Sequence, residues 1–467
     1  MSKKKIVFIW SPATVKPSVT LPNLSISYLS RFLKVHGYDV VNIDLNIILY
    51  GYHKEMRLPD NKNKFNSLII KIIKFVEKFN PDVMCVSNWS GNFPFSLEFI
   101  RGYKSRNSDC VVIIGGEPAT FTPDEVLGIL PEIDFLVRGE GELTLLELCN
   151  AINNKKSNFS IIKGISYINR NTNKIVHTHN RDSIKDLDML PLIDFEEFVF
   201  KEKLTNELFN IITTRGCPYG KCSFCSIIKK FNYYRTHSIQ YIIKQIKHII
   251  KLYNPVEISI NDDDFLTHKI KFLGLTKQII KNGLKVQFSC GGRGDQLNKE
   301  NLELLEKAGF IHITAGVENI LPKVLALYCK AADIQTYIKN VKKGISSCKD
   351  FNISIAVSFI IGSPIETKED MVKNIEYMRH ISHIINRLDI SPLCIYPGSG
   401  LWERYRKGEF SIFKKSSNIS YIDDLYSNLP WVVPYAYLVR NNYYQDKIFE
   451  DMLNEISNQI NAIPLRS

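Results

Sequence analysis

Read only as apolar and polar positions, the chain changes rhythm twice. A short apolar run over 5–10, bounded by lysines on one side and Ser11-Pro12 on the other, predicts a strand. Apolar residues at helical spacing follow over 21–36 and stop at Gly37, a residue that ends helices by accepting a left-handed backbone. Strand-like runs recur at 39–43, 82–87, 111–114 and 135–137, with helical patterns at 65–79, 94–105, 124–130 and 142–152. Five strands with crossover helices predict a doubly wound parallel sheet over 1–152. The rhythm then breaks over 153–207. Two strand-like runs, 164–168 and 174–178, flank an Asn-rich turn as a hairpin, and 186–198 reads as a loop, so this stretch is expected to be a linker. From 208 the alternation resumes, with strands at 209–214, 256–260, 285–289, 311–317, 353–361 and 387–395. Helical patterns lie between them at 238–253, 266–282, 298–308, 333–349 and 367–383. Six strand–helix units over 208–403 predict a partial (β/α)6 barrel of TIM type, short of the eight that close one. Residues 404–467 are expected to form a helical C-terminal segment.

Composition adds exclusions. At 467 residues, 45% apolar and 23% charged, the chain has the balance of a soluble globular protein with enough length for a sizeable core. No apolar run approaches the roughly 20 residues that span a bilayer, and the basic start runs into Ser11-Pro12 too soon for a signal peptide, so the expected location is cytoplasmic. The net charge of +12 is carried by scattered lysines on predicted helix faces, which points away from nucleic acid. Of the ten cysteines, seven lie singly, several in apolar runs, and read as buried free thiols rather than a disulfide framework.

The other three are concentrated. Cys217-Pro-Tyr-Gly-Lys-Cys222-Ser-Phe-Cys225 follows the first barrel strand, on the face where barrel enzymes place their sites. Three thiolates at this spacing suit three corners of an iron–sulfur cube and leave a fourth iron open. A closed zinc site would need a fourth ligand, and the nearest downstream histidine, His237, fits no common zinc spacing. Other strand ends hold polar residues with two readings each. Asp262-Asp263-Asp264 is a solvated turn or a ligand for an ammonium group; Arg293 is a surface charge or a fixed bidentate donor; Glu318 is a solvent group or a site residue. Gly115, Gly116, Gly139 and Gly141 are plain turns or a floor that lets a bulky ligand approach the backbone.

Taken in order, these motifs resemble those of radical S-adenosylmethionine (SAM) enzymes with an N-terminal cobalamin (B12)-binding-type domain. Ile114-Gly115-Gly116-Glu117-Pro118 and Phe135 to Glu142 resemble that domain's strand-end loops, and Leu187 to Pro191 its linker. Thr214 to Pro218 with Cys222-Ser-Phe-Cys225 resembles the cluster loop, except that four residues rather than three separate the first two cysteines. Asn261 to Phe265, Arg293 with Asp295, Gly316 to Asn319, Phe359 to Thr367 and Tyr396 to Ser399 resemble the family's later strand-end loops. The histidine motif that ligates cobalt in other cobalamin proteins is absent; 1–152 holds only His36 and His53.

The resemblance implies a flavodoxin-like, B12-binding-type sheet ahead of a radical SAM barrel. It implies a [4Fe–4S] cluster on Cys217, Cys222 and Cys225, and SAM against Phe224, Asp262, Asp263, Arg293, Glu318, Asn319, Ile360 and Gly362. It implies cobalamin against Pro12, Ser87, Ser90, Gly115, Gly116, Gly139, Glu140 and Gly141, without a histidine on cobalt. The activity implied is reductive SAM cleavage to a 5′-deoxyadenosyl radical that serves methylation of an unactivated carbon in a small-molecule or peptide substrate, with an external electron donor such as flavodoxin or ferredoxin. The alternatives are radical rearrangement, cyclisation or oxidation without methyl transfer, an RNA methylthiotransferase, and a non-enzymatic metal-binding protein.

Overall fold

The computed structural model describes residues 3–12, 21–49, 62–156, 158–201, 207–227, 231–410, 412–414 and 437–439, with 455, 458–459 and 462–466 near the end. The chain divides into two compact units, Met1–Thr205 with Asn418–Pro434, and Asn206–Ser417 with Tyr435–Ser467.

The first unit is built on a seven-stranded sheet. Its strands are β1 (Lys5–Trp10), β2 (Asp39–Asp44), β3 (Val83–Asn88), β4 (Val111–Gly116), β5 (Phe135–Val137), β6 (Ile165–Asn169) and β7 (Lys174–His177), in the order β2-β1-β3-β4-β5-β6-β7. The first five are parallel, as the alternation predicted. Ile6, Val7, Phe8 and Ile9 are all buried, so β1 reads as an unbroken apolar run because both of its faces are covered. Helix Leu24–Val35 returns the chain from β1 to β2, with the Asn23 side chain accepting from the Ile26 N–H at 3.1 Å as its N-cap. From β2 the chain crosses to the other side of β1 to form β3. That reversal puts the crevice of a doubly wound sheet at the carboxyl ends of β1 and β3.

The hairpin at 165–177 corrects the expected linker. β6 pairs antiparallel with β5, and β7 with β6, so the hairpin extends the sheet. Its pairing partner, Leu136-Val137, lies about 30 residues upstream, a contact that no local pattern encodes.

The second unit carries β8 (Leu208–Ile211), the short antiparallel pair β9 (Thr214–Arg215) and β10 (Arg235–Thr236), then β11 (Glu257–Ile260), β12 (Gln287–Arg293), β13 (Phe310–Glu318), β14 (Ser354–Ile361) and β15 (Arg387–Pro392). Six of these form one parallel sheet, β15-β14-β13-β12-β11-β8, matching the six predicted strands of an open half-barrel. One face of this sheet meets helices: Phe209 stacks on Tyr253 of helix Ile239–Tyr253, and Phe359 meets Tyr377 of helix Lys368–Ile381 edge-on. Ile258, Cys290, Ile313, Ala315, Ile355 and Val357 share that face and are buried. The opposite face has another chemistry. Register aligns Asn210, Ser259, Ser289, His312 and Ser354 in one row across five strands, and Gly291, Thr314 and Ala356 in the next.

The C-terminal segment departs from its helical expectation. Helix Gly400–Arg406 is present, with Ser399 as N-cap and Trp402 buried, but β16 (Ile412–Lys414) and β17 (Tyr437–Val439) follow as an antiparallel pair. The aromatic candidates Trp431 and Tyr435 lie outside the described residues. Among the described residues, no helix is long and apolar enough to cross a membrane.

Candidate functional site

The cysteine loop leaves the sheet through a pinched neck. β9 and β10 pair at its two ends, and Asp262, just past β11, clamps its start. The buried Asp262 carboxylate accepts from the Thr213 N–H at 2.6 Å, the Thr214 N–H at 3.0 Å, the Thr213 hydroxyl and the Lys271 ammonium at 2.5 Å. Those four donors fill its acceptor positions. Asp262 was expected to hold SAM and is instead the bolt between two strand ends. Gly216 at φ +87 makes the entry turn, where an added Cβ would lie 3.0 Å from the Tyr233 carbonyl oxygen. Gly220 at φ +58 accommodates the additional residue between the first two cysteines.

The loop is tied down along its length. Ser223 donates through its N–H to the Tyr328 carbonyl at 2.8 Å and through its hydroxyl to the Leu327 carbonyl at 2.6 Å, and the Tyr219 hydroxyl donates to the Cys329 carbonyl at 2.8 Å. Phe224 packs edge-on to the buried Tyr328, ring centres 5.3 Å apart. Cys217, Cys222 and Cys225 are half-buried, unlike the fully buried Cys85, Cys110, Cys149, Cys290, Cys348 and Cys394. Backbone N–H groups of Gly220 and Tyr219 face the Cys217 sulfur, and that of Ile227 faces Cys225. Burial pushes the Cys222 thiol up to about 11 and Cys225 up to about 12, although the Lys330 and Arg293 cations beside Cys222 work the other way. Among the described residues, no three His, Cys, Asp or Glu side chains converge on a single metal ion. A cubane asks for something else, one thiolate at each of three separate corners, and a pinned loop with amides turned to its sulfurs fits that demand.

Around the loop stand the charged strand ends. Asp263 is exposed and close enough to Cys217 and Cys225 to influence both sulfurs. Asp264, which the sequence reading left out of its ligand set, is the buried carboxylate of the run. One of its oxygens accepts from the Leu266 and Thr267 N–H groups, the other has no partner, and burial raises its pKa. Arg293 at the end of β12 is fixed between the rings of Tyr219 and Tyr337, at 4.1 and 5.3 Å, and its Nε donates to Asp295 at 3.0 Å. Its buried Nη1 has no partner. An unpartnered carboxylate oxygen and an unpartnered guanidinium nitrogen beside one thiol loop complement the ammonium and carboxylate of an amino acid, the polar end of SAM. A cavity of about 260 Å³ opens at Arg293, Tyr219 and Tyr337.

Glu318 ends β13 in a left-handed backbone, φ +65, and pairs with the buried Lys330 at 2.9 Å. Burial works against the Lys330 charge, yet the Glu318 carboxylate holds its pKa above the ordinary value. No spacing signal marks Lys330, which lies in a loop 12 residues past its partner. Asn319 is a second correction. Its amide donates to Glu366 at 2.9 Å and to the Ile360 carbonyl at 3.3 Å, and its oxygen accepts from the Leu321 N–H and the Asn374 amide. It is an internal brace that carries the Ile360–Gly362 turn, where Gly362 takes φ +79, and is not free to meet a ligand.

In the first unit, all eight expected residues fall at the carboxyl ends of β1, β3, β4 and β5, but they divide by task. Gly115 and Gly139 face open space: an added Cβ meets only the Val137 carbonyl oxygen at 4.0 Å at the first and nothing within 4 Å at the second. Gly116, at φ +100, and Gly141 are small because protein atoms press on them; an added Cβ would sit 1.7 Å from the Asn88 oxygen or 2.9 Å from Leu29. Glu140 accepts from the Ile184 N–H at 2.7 Å and ties the following segment to the edge. Pro12 and Ser90 are buried, and Ser87 is half-buried in register with Gly115. Beneath them lies a buried network the sequence reading missed: the Ser96 hydroxyl bonds the Ser11 hydroxyl and Asn88, and the Asn92 amide donates to the Ser11 carbonyl. The Asn88 amide nitrogen and the Ser90 hydroxyl remain buried without partners. A glycine floor with orphaned polar atoms beside it fits a bulky, amide-fringed ligand such as cobalamin. No imidazole reaches this edge from His36. It caps the C-terminus of helix Leu24–Val35, bonding the Phe32 carbonyl at 2.7 Å, and a crossover helix ends at the opposite edge of the sheet. His53 lies outside the described residues.

Comparison with known proteins places both halves. The B12 binding domain family matches residues 11–149, and the Radical SAM superfamily matches 211–378. The chain is similar to an uncharacterized methyltransferase, PH0819, of Pyrococcus horikoshii, 28% identical over 410 residues, covering 86% of this chain and 83% of the relative. It is also similar to the anaerobic magnesium-protoporphyrin IX monomethyl ester cyclase of Rubrivivax gelatinosus, 26% identical over 370 residues, spanning 77% of this chain and 62% of that protein. In fold it resembles the radical SAM methyltransferase TsrM of Kitasatospora setae, solved with cobalamin and a [4Fe–4S] cluster, with a TM-score of 0.69 at 15% identity over 90% of this chain and 82% of that one. With the thiol loop on an open half-barrel and a glycine-floored edge on a doubly wound sheet, the chain belongs to the radical SAM enzymes that carry an N-terminal B12-binding domain.

Proposed function

We propose that the enzyme methylates an unactivated carbon of a small substrate, using a [4Fe–4S] cluster, SAM and cobalamin. The observation that carries this is the pairing, in one chain, of a pinned three-thiol loop with a separate carboxyl edge whose open glycines and orphaned polar atoms suit a large cofactor. When bound, these groups supply one-electron cleavage of SAM and a transferable methyl group.

The chain's own residues do the holding. Cys217, Cys222 and Cys225 ligate the cluster. Asp264 and Asp263 receive the SAM ammonium, and Arg293, immobilised by two tyrosines, donates to its carboxylate. Asp262 and Asn319 keep the loops at these positions without touching the ligand. Gly115 and Gly139 let cobalamin lie on the backbone while Asn88 and Ser90 donate or accept at its rim, and cobalt carries no protein histidine. An external one-electron donor of the flavodoxin or ferredoxin kind supplies the electron, and the protein acts in the cytoplasm.

Anaerobic reconstitution with iron, sulfide, cobalamin and deuteriomethyl-SAM tests the reading, with 5′-deoxyadenosine and labelled product as readouts. A second reading, rearrangement or cyclisation without methyl transfer, is favoured by the similarity to the cyclase. It predicts the same 5′-deoxyadenosine but no deuterium in the product.

A further inference from the structure

Two neighbouring helices on the outside of the half-barrel carry charge of one sign. Helix Ile239–Tyr253 and helix Lys269–Asn282 contain no Asp or Glu. They expose Lys244, Lys247 and Lys251 on the first and Lys269, Lys277 and Lys281 on the second. Among the described residues none of the six pairs with an acid; Lys247 donates instead to Asn282 at 2.7 Å, which joins the two helices. Helix Lys299–Lys307, by contrast, carries Glu300, Glu303 and Glu306 between its two lysines, and Lys307 pairs with Glu303.

The exposed positions of each helix recur every three or four residues, so each turns one stripe outward. Ile239 packs on Gly274, where an added Cβ would lie 2.4 Å from it, so the stripes run side by side. Apolar side chains interrupt the lysines. Ile270 is 81% exposed, and Leu273, Ile280 and Leu252 are exposed beside it. Among the described residues of the second unit, the other exposed large apolar side chains are Val256, just past the first of these helices, Tyr233 and Leu465.

This face begins at the thiol loop. Asp263, whose charge reaches the Cys217 and Cys225 sulfurs, lies just ahead of Lys269 in the chain. Thr267, two residues before Lys269, lines the same cavity as Tyr219 of the thiol loop. A partner seated on the start of helix Lys269–Asn282 would therefore lie beside the loop that holds the cluster.

We infer that the outer face of helices Ile239–Tyr253 and Lys269–Asn282 is the docking surface for an acidic one-electron carrier protein of the flavodoxin or ferredoxin kind; this rests on the cluster reading above. Unpaired lysines steer an acidic partner and raise its association rate by roughly 10–10³-fold. A few apolar side chains among them give a small contact that releases after transfer, as weak electron-transfer encounters require. One electron leaves the carrier's reduced centre, which is oxidised by one, and enters the cluster, which is reduced by one; no bond forms or breaks. Lysines with aliphatic side chains would also attract an anionic membrane, and it is the nearness of the thiol loop that favours a carrier.

The test mixes the full chain, reconstituted with its cluster, with the fully reduced form of an acidic flavodoxin. Growth of the reduced cluster's EPR signal is timed, and the dissociation constant of flavodoxin is measured at low salt. Dithionite, which needs no docking surface, is the parallel reductant. Lys269→Glu/Lys277→Glu/Lys281→Glu should slow reduction by flavodoxin at least about tenfold and raise the dissociation constant by a similar factor, with the dithionite rate unchanged. Lys339→Glu/Lys342→Glu/Lys343→Glu, the same charge change on helix Ile334–Ser347, should leave both flavodoxin readings within about twofold of the parent, because only the first triple touches the docking face. Equal loss in the two variants, no loss in the first, or no reduction of the parent by flavodoxin overturns the inference. So does binding to anionic phospholipid vesicles that the first variant abolishes while its flavodoxin rate stays unchanged, which would assign the face to a membrane. Failure of dithionite to produce the signal in the parent would reject the cluster itself, and the inference with it.

Discussion

The chain contains two carboxyl edges of parallel strands, and they are made differently. On the half-barrel, three strand-end acids are matched to cations, Asp262 to Lys271, Glu318 to Lys330 and Asp295 to Arg293, while the buried Asp264 keeps one oxygen without a partner. On the N-terminal sheet, the buried strand-end carboxylate Asp44 is held by amide donors from Asn46 and Asn23, and the floor is glycine and neutral polar side chains. The difference suits what each edge is proposed to hold. A small reactive centre with charged ligands needs fixed charges about it, because a misplaced charge in a partly dry site is costly. A bulky cofactor needs area and backbone access, which glycines supply and paired charges obstruct.

The largest expected effect tests the half-barrel edge directly. Cys217→Ala, Cys222→Ala or Cys225→Ala should abolish the cluster's visible absorbance and its iron content, because each corner has one thiolate. Cys290→Ala and Cys394→Ala, at buried thiols, should leave both in place. Cluster loss in either of the latter would break the assignment.

The paired charges should be costly to break. Removing Lys330 strands the buried Glu318 in its left-handed turn, and Lys330→Met is expected to lower stability by about 3–5 kcal/mol. The double variant Lys330→Met/Glu318→Gln should recover part of that loss, since no charge is then left unpaired. A destabilisation that is equal or larger in the double variant would show that packing, not pairing, sets the effect.

These two regions also differ in how far the sequence disclosed them. Strand period, helix stops and clustered cysteines are local signals, and both parallel sheets and the thiol loop were legible from them. Three consecutive aspartates, by contrast, look alike in a sequence. That Asp262 is a clamp, Asp263 an exposed neighbour of the sulfurs and Asp264 a buried carboxylate with a free oxygen depends on Thr213 and Lys271, and on which way the turn faces. The four glycines were indistinguishable for the same reason, because what presses on Gly116 and Gly141 comes from Asn88 and Leu29. The hairpin's place in the sheet and the Lys330 pairing are likewise properties of contact between distant segments.

Asp44 gives the N-terminal edge a pH signature of its own. Burial raises its pKa from 3.8 to about 7, so the folded chain keeps a proton that the unfolded chain has already released across that window. The folded state binds more protons there, and stability therefore falls as pH rises, by on the order of 2 kcal/mol between pH 5 and 7. Asp44→Asn removes the titration while keeping an oxygen for the Asn46 N–H. Its denaturation midpoint should be less sensitive to pH over this range and higher than the parent's at pH 7. An unchanged pH slope would mean that Asp44 stays ionised in the folded chain.

The smallest effect separates the two kinds of glycine on the N-terminal edge. Gly115 takes no positive φ, and an added Cβ there meets almost nothing, so Gly115→Val should fold normally. Its new methyl groups would occupy the space assigned to cobalamin, and the dissociation constant is expected to rise about tenfold, a cost of about 1.4 kcal/mol. Gly141 packs against Leu29, where an added Cβ would lie at 2.9 Å. Gly141→Val is therefore expected to lower stability by about 1–3 kcal/mol through overpacking, while the protein that folds binds cobalamin as before. Equilibrium dialysis of cobalamin with each variant, beside a denaturation curve, reads both quantities. Affinity loss at Gly141 with none at Gly115 would reverse the division, and would place the cofactor over the β5 loop next to the first helix instead of over the end of β4.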